Sequence, residues 1–470
     1  MDNKIRNFIL VIAIIQLILI GGLLALPKAV QAIPGRYRVA LAERNPFLSN
    51  IAEGVIARVA PVATALPAPV QPVGEAVDLG ELVAGPTTAV SLPASSTATP
   101  VPQPTDLPSA EPATTEPAAT KTAVPTATTT PTPQPTATPT PIPLPSQVRL
   151  SGLQPVRQSF NNCGPANLTQ VLNFYGADIS QAQAASYLKP NPEDRNVSPW
   201  QIADYVNEQT PYQARVFVGG TLEMLKRLIA AGFPVVVEKG YEPNVEGAPG
   251  WWGHYLTLFG YDDEAQVFNS MDSYLGPFNT NEGRTDSYES IAFYWQHFNY
   301  TFYVVFEPAQ EQLILDLLGP EMADPFTMWQ NAANRANEET KAEPDNPFAW
   351  FNLGTSLTAM GELTGEERYY QGGAQAFDKA REIGLPPRML WYQFRPYLAY
   401  LKTGRYQDVL ALADATLETQ GGRNVEETYW YKGHALAFLG DIAGARAAYE
   451  AALRVNENFY PAQISLDSLP

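Results

Sequence analysis

The pattern of hydrophobic positions divides the chain into segments of different character, and the first is a continuous apolar run. Residues Phe8 to Leu26 contain no charge and a single polar side chain, Gln16. A run of this length is sufficient to cross a bilayer, and the basic residues Lys4 and Arg6 before it favour a cytoplasmic N-terminus. A cleavable signal peptide is the alternative, because Val30-Gln31-Ala32 offers a small-residue cleavage site. Residues 1–33 therefore predict a membrane anchor or signal peptide, and both place the rest of the chain outside the cytoplasm.

The next two segments lack the periodicity of a folded domain. Residues 34–85 have no clear pattern and form an uncertain juxtamembrane segment. Residues 86–147 consist largely of Pro, Thr, Ala and Ser, with almost none of the aromatic or branched aliphatic residues that build a core. Such a composition cannot offset the entropy of ordering, and its proline content favours extended conformations. We expect a disordered linker that acts as a stalk, with O-glycosylation of its threonines possible by composition.

Residues 148–309 show helical spacing first and strand-like runs later, which predicts an α+β domain rather than an alternating α/β sheet. A helix is predicted after Cys163, because apolar residues recur at Leu168, Val171, Leu172 and Tyr175 before Gly176. Further helices are expected after Ser198-Pro199 and over Leu222–Ala231, and strands over Phe233–Glu238, His254–Gly260, Ala265–Asn269 and Tyr300–Phe306.

Residues 310–470 are helical and repetitive. Three units share spaced aromatic, Leu, Gly and Ala positions, and Gly404 and Gly440, at equivalent points of two units, are 36 residues apart. This spacing and pattern resemble the tetratricopeptide family of helix–turn–helix repeats. The resemblance implies an all-α array that packs through its small residues and presents a groove to a protein partner.

Composition narrows the function classes. The formal net charge is −18, which argues against nonspecific nucleic-acid binding because that requires a basic surface. The chain has one cysteine and three scattered histidines, so nothing has the spacing of zinc ligands. The sequence predicts no metal and no cofactor.

The single cysteine is the strongest candidate for chemistry. Free cysteines are most often small buried hydrophobic residues, yet Cys163 is followed by Gly164-Pro165 and then by the predicted helix. Proline is favoured in the first turn of a helix. A thiol at a helix N-terminus has a lowered pKa because the helix dipole favours the thiolate. Cys163 is therefore a candidate nucleophile.

A thiol nucleophile requires a base and a group that orients the base. Of the three histidines, His434 lies in a helical repeat and His297 lies among aromatic residues, where packing is the default interpretation. His254 begins an apolar strand after Gly253. A hairpin to the next strand would bring Asp272 beside His254, and its carboxylate could orient the imidazole. Asn269 is the second choice for that role.

The residues Gln158, Asn162-Cys163-Gly164-Pro165-Ala166, Gly253-His254-Tyr255 and Asp272 resemble papain-like peptidases, above all the bacteriocin-processing, double-glycine-leader group. The resemblance implies Cys163 as nucleophile, His254 as general base and acid, Asp272 as orienting residue and Gln158 as oxyanion donor. In that group a proline usually follows the aspartate, whereas here Ser273 does, and Gln158 precedes the cysteine by five residues instead of six. The companion transporter domain is absent from this sequence, so leader processing for export is not implied.

The sequence thus predicts a membrane-tethered, extracytoplasmic cysteine peptidase with a peptide or protein substrate and a helical-repeat domain. Two alternatives stay open. An inactive peptidase-like domain could serve as a surface binding scaffold. A thiol amidase or transpeptidase acting on cell-wall peptides could use the same residues, because an acyl-enzyme can be resolved by water or by an amine.

Overall fold

The computed structural model describes residue 16 and residues 65–71, 76–84, 144–243, 250–419 and 421–470. The predicted membrane anchor or signal peptide at 1–33, most of the juxtamembrane segment and nearly all of the linker lie outside these residues. Among the described residues, no helix combines the length and the apolar character needed to cross a membrane.

The α+β prediction is confirmed by an antiparallel sheet that is covered by helices on both faces. Within the described residues seven strands form it in the order β2-β7-β3-β4-β5-β6, with β1 paired to β4. The strands are β1 (Gln147–Arg149), β2 (Gln213–Phe217), β3 (Val235–Tyr241), β4 (Trp252–Asp262), β5 (Val267–Met271), β6 (Arg284–Ser287) and β7 (Phe302–Phe306).

One face of the sheet holds the helix that begins at the cysteine. Leu168, Val171 and Leu172 of this helix share a buried cluster with Val236 of β3 and Tyr255 of β4. The alternate β3 residues, such as Val235 and Val237, face the opposite side and pack on other helices. The helices up to the last strand are α1 (Leu79–Ala84), α2 (Cys163–Phe174), α3 (Gln181–Leu188), α4 (Pro199–Gln209), α5 (Leu222–Ala230) and α6 (Tyr288–Gln296).

Helix starts follow the predicted sequence signals. Ser198 precedes α4 with Pro199 in its first turn and a capping box to Gln201. The Thr221 side chain accepts a hydrogen bond from the backbone N–H of Met224 at the start of α5. Local capping chemistry therefore fixes where these helices begin.

The C-terminal part of the chain is helical, as predicted, and its helices pair as neighbours. The helices are α7 (Glu311–Leu318), α8 (Pro320–Ala323), α9 (Pro325–Ala342), α10 (Pro347–Thr364), α11 (Glu367–Ile383), α12 (Arg395–Lys402), α13 (Tyr406–Glu418), α14 (Glu426–Phe438), α15 (Ile442–Val455) and α16 (Tyr460–Asp467).

Two glycines show why small residues recur at equivalent positions of these helices. A Cβ at Gly354 of α10 would overlap the ring of Phe377 in α11, and a Cβ at Gly433 of α14 would overlap the ring of Tyr449 in α15. The tight aromatic contact repeats from one helix pair to another. The tetratricopeptide assignment itself stays a prediction.

The sheet region and the helical region share hydrophobic cores. Trp251 and Phe298 from the sheet region belong to a buried cluster with Phe351, Phe377 and Leu385 from the helical region. A second cluster joins the sheet residues on the other face to residues of α9 and α10. The two regions therefore form one compact unit, although their sequences predict two domains.

A short segment before the low-complexity stretch also belongs to this unit. The backbone N–H of Leu66 donates to the carbonyl of Leu385 at 3.0 Å. The Arg381 guanidinium donates to the carbonyls of Pro67 and Ala68, both at 2.8 Å. Leu82 and Val83 of α1 are buried in a core cluster with helical residues. Residues 65–71 and 76–84 thus belong to the same unit as the described residues after 144, although their sequence predicted only an uncertain juxtamembrane segment.

Candidate active site

The loop before α2 places Cys163 at the first position of that helix. Gln181 of α3 holds the loop, because its side-chain oxygen accepts from the Ser159 N–H at 2.7 Å and from the Asn162 amide at 3.0 Å. Lys189 donates to the carbonyl of Asn161 at 2.9 Å, and Asn161 has a left-handed φ of 56°. Cys163 as a residue is half-buried, so the loop is fixed while the residue keeps some exposure to solvent.

His254 and Asp272 lie side by side at the ends of adjacent strands. Strands β4 and β5 form an antiparallel hairpin in which Thr257 pairs with Met271, so Asp272 follows directly. His254 Nε2 lies 3.1 Å from Asp272 Oδ1, and both side chains are almost fully buried. The same carboxylate oxygen accepts from the backbone N–H groups of Tyr274 and Leu275 at 2.8 and 2.9 Å. The carboxylate is thus locked toward the imidazole.

The remaining nitrogen of His254 is available to the thiol, and the two groups shift each other's pKa. Burial opposes ionisation of Cys163, but hydrogen bonding and charge from His254 and the N–H of Tyr255 outweigh it, so the pKa of the thiol is lowered. Burial also works against the charged form of His254, yet Asp272 and Cys163 together raise its pKa to about 9. Asp272 is held well below its usual pKa despite burial, because of His254 and the two backbone N–H groups. The geometry favours a thiolate–imidazolium pair at neutral pH.

Gln158 is connected to His254 and Asp272 through Ser273, the residue that directly follows Asp272. The Ser273 hydroxyl donates to Gln158 Oε1 at 2.8 Å and accepts from the Asn167 amide at 3.1 Å. That amide also donates to the carbonyls of Cys163 and Tyr255 at 2.9 and 3.0 Å. Because Oε1 of Gln158 is engaged, its NH₂ group is left as the donor that can point elsewhere.

A small cavity adjoins the thiol and is closed on one side by the helical region. It leaves about 10 Å³ for the centre of a water-sized molecule, which is room for about one water. Its wall includes Cys163, Gly164, His254, Glu238 and, from the segment between α11 and α12, Tyr392.

Glu238 is a buried carboxyl in this wall. Its side chain is 5% exposed, and burial, with the nearby Cys163 thiolate, raises its pKa well above the ordinary value. The hydroxyl of Tyr255 beside it donates to the carbonyl of Val197 at 2.8 Å. The raised pKa favours the protonated form of Glu238, which adds no negative charge next to the thiolate.

The other sequence candidates lie elsewhere. His297 accepts a hydrogen bond from the Trp251 indole at 2.9 Å and stacks on Phe348, and His434 packs against Trp430 within the helical region. Asn269, the second choice for the orienting role, pairs with Gly260 rather than with His254. Within the described ranges, no group of His, Cys, Asp and Glu side chains could hold a metal ion.

A family model matches the part of the chain that contains these residues. Residues 141–302 match the Peptidase_C39 like family. A solved C39-like peptidase from Bacillus anthracis is 17% identical, with 34% of this chain and 96% of that chain covered and a TM-score of 0.28. No curated protein matches the chain. The family match supports a cysteine peptidase in this region, and it ends before the helical region that carries Tyr392.

Sequence reasoning missed several residues of the site. Asn167 and Glu238 lie inside a regular helix and strand, and no motif marks them. Ser273 stood out only as a departure from the usual proline. Tyr392 is far from the other residues along the chain and is brought close only by packing.

Proposed function

We propose that the chain is a cysteine peptidase whose catalytic residues are Cys163, His254 and Asp272, with Gln158 as oxyanion donor. The observation that carries this proposal is the continuous set of contacts from thiol to imidazole to carboxylate, with the Asp272 carboxylate 3.1 Å from the His254 ring. The pKa values of both groups are shifted in the direction that the chemistry requires: the pKa of the Cys163 thiol is lowered and the pKa of the His254 imidazole is raised.

In the proposed reaction the Cys163 thiolate attacks the carbonyl carbon of a peptide bond. The carbonyl oxygen becomes an oxyanion, which the Gln158 NH₂ and the backbone N–H of Cys163 stabilise. The His254 imidazolium gives its proton to the leaving amine as the C–N bond breaks, which leaves a thioester on Cys163. Neutral His254 then takes a proton from water, and the resulting hydroxide displaces the thiolate and releases the acid product.

A peptide has room beside the catalytic loop. A hollow of about 340 Å³ is lined by Ser159, Phe160 and Asn162 together with residues of α3 and the segment after it. This hollow lies next to Cys163 along the chain and is a suitable place for the part of a substrate that flanks the scissile bond.

The thiol itself offers the direct test, because the full-length chain contains a single cysteine. We expect alkylation by chloroacetamide at pH 6 to be nearly as fast as at pH 8, whereas an ordinary thiol slows by roughly 75-fold over this range. The His254→Ala variant should regain the steep dependence, because it removes the cation beside the sulfur. A His434→Gln variant is the matched control and should behave as the parent does.

Turnover distinguishes a peptidase from the alternatives. We expect hydrolysis of peptides from a mixed library, lost in Cys163→Ser. An activated thiol with no hydrolysis, but with transfer to an added amine, would instead indicate a transpeptidase. A steep pH dependence of alkylation in the parent, unchanged by His254→Ala, would leave only a binding scaffold.

The location of the enzyme is a further part of the proposal. The apolar run and preceding basic residues in 1–33 favour an extracytoplasmic catalytic unit attached to a membrane. The helical region is proposed to bind a protein partner on the strength of its repeat pattern. Protease accessibility on intact cells would test the first point.

A further inference from the structure

The helical region contributes a side chain to the wall of the active-site cavity. Tyr392 directly follows the short helical turn Met389–Trp391, outside the residues 141–302 that match the peptidase family. It lines the same small cavity as Cys163 and His254. A Cβ placed on Gly253, the residue before His254, would lie 3.0 Å from two carbons of the Tyr392 ring. The ring therefore lies directly against the strand that carries His254.

Packing and hydrogen bonds hold Tyr392 in this place. Its ring makes edge contacts with Trp251 and Phe298, with both pairs of ring centres 5.9 Å apart. The next residue, Gln393, donates to the carbonyl of His297 at 2.9 Å. The phenol oxygen of Tyr392 itself interacts with the backbone N–H of Gly253. The ring is half-buried and anchored to the sheet region on several sides, so it forms a fixed wall of the cavity.

Trp391, the residue before Tyr392, makes a second connection to the cavity wall, through Arg195. The Arg195 guanidinium lies 5.4 Å from the ring centre of Trp391 and 5.1 Å from that of Phe160. Arg195 also lines the cavity. The turn that holds Tyr392 is thus bound both to the loop before Cys163 and to the strand before His254.

We propose that Tyr392 is a specificity-determining residue that limits the size of the acyl group that reaches Cys163. This inference rests on the proposed peptidase function. With Tyr392 in place, the cavity beside the thiol holds about one water, so on the side that the helical region closes, a bulky group can approach the sulfur only by displacing the ring. Smaller side chains at position 392 widen the cavity and admit larger substrates.

Two alkylating agents with the same reactive group test the size limit on the full-length chain. Chloroacetamide is small, and its N-biphenyl derivative presents the same electrophilic carbon with a bulky substituent. For each reagent the alkylation rate of Cys163 in a variant is divided by that of the parent. We expect Tyr392→Ala to raise the rate with the biphenyl reagent at least about tenfold, because size discrimination in a pocket is worth roughly 10- to 200-fold per methylene. The rate with chloroacetamide should change little.

Tyr392→Phe is the matched variant, because it keeps the ring and removes only the hydroxyl; it should retain the parent's size limit. Thermal unfolding shows whether Tyr392→Ala folds. If it does not, Tyr392→Leu replaces it as the variant with a smaller side chain. An equal response to both reagents in the Ala or Leu variant would overturn the size limit and leave the peptidase proposal intact. Slow, steeply pH-dependent alkylation by chloroacetamide in parent and variants alike would overturn both.

Discussion

The two sides of the active-site cavity are built in different ways. The sheet side positions its groups through hydrogen bonds within residues 158–275, where Asp272 and Ser273 each hold two or more partners at 2.8 to 3.1 Å. The helical side contributes Tyr392 through aromatic packing on Trp251 and Phe298. The first arrangement sets the protonation and orientation of reacting groups, and the second sets the available space. Reactivity and access can therefore be changed separately by mutation.

We expect the largest effect from a substitution that removes the Asp272 carboxylate, because its charge keeps His254 protonated beside the Cys163 thiolate. Asp272→Asn keeps the size of the side chain but removes the carboxylate that, against burial, raises the pKa of His254 to about 9. We expect kcat/KM for peptide hydrolysis to fall by about 100-fold, within the usual range for general acid–base catalysis. The parent should lose activity as the pH rises through about 9, because His254 then loses its proton, and in the variant this loss should begin at lower pH.

The Asp272 carboxylate should also make the stability of the folded protein depend on pH in one direction. A histidine whose pKa is raised on folding stabilises the native state fully below its unfolded pKa, and this stabilisation is lost as the pH rises through the folded value. For His254 that interval runs from 6.5 to about 9. Thermal unfolding of parent and Asp272→Asn should therefore converge toward the upper end of this interval. Constant separation across it would contradict the assigned ion pair.

A smaller effect is expected from the residue that orients Gln158. Ser273→Ala removes both the hydrogen bond to Gln158 Oε1 and the acceptor for Asn167. We expect kcat to fall about fivefold with KM nearly unchanged, which corresponds to about 1 kcal/mol for a lost hydrogen bond.

Ser270→Ala is the matched control, since Ser270 is also buried, lies three residues earlier in β5 and bonds to Asp286 instead. Steady-state kinetics of the two variants distinguish orientation of Gln158 from a general effect of losing a buried hydroxyl. Equal losses of kcat in both would argue against a specific role for Ser273.

The smallest expected effect concerns the packing behind Tyr392. Phe298→Leu removes ring volume next to Tyr392 and leaves a small cavity there. Phe268→Leu makes the same change in the other buried cluster, away from Tyr392. We expect only Phe298→Leu to raise alkylation of Cys163 by the biphenyl reagent, by about two- to threefold, because a loosened ring lowers the barrier to a bulky group. A similar increase in both variants would indicate general loosening instead of a specific wall.

The predictions from sequence succeeded where the determining signals are local. Pro165 in the first turn and the apolar spacing after it indicated α2, and the successive strand-like runs His254–Gly260 and Ala265–Asn269 indicated the β4–β5 hairpin. The hairpin alone is sufficient to bring Asp272 to His254. Strand β3 was predicted to end at Glu238 but continues to Tyr241. Residues 239–241 continue the strand by pairing with residues 252–254 of β4, and the buried Lys239 ammonium lies over the rings of Tyr241 and Tyr294.

The features that sequence could not predict depend on contacts between distant parts of the chain. Tyr392 resembles any aromatic residue of a helical array, and its place beside Gly253 results from packing on Trp251 and Phe298, which share a buried cluster with helical residues. The docking of residues 65–71 could not be predicted either. The arginine and aspartate side chains that hold this segment contact its backbone atoms, so the segment's own side chains show no pattern.

That docked segment has a consequence for cleavage of the chain. Asp408, itself paired with Arg381 at 2.9 Å, accepts from the backbone N–H groups of Val70 and Gln71 at 2.8 and 3.1 Å, while Leu82 and Val83 are buried in the core. A protease that nicks the low-complexity stretch would separate the covalent chain into two fragments that remain noncovalently associated. We expect the fragments to elute together in gel filtration, so an enzyme attached through its N-terminus would keep its catalytic part after such a nick rather than shed it.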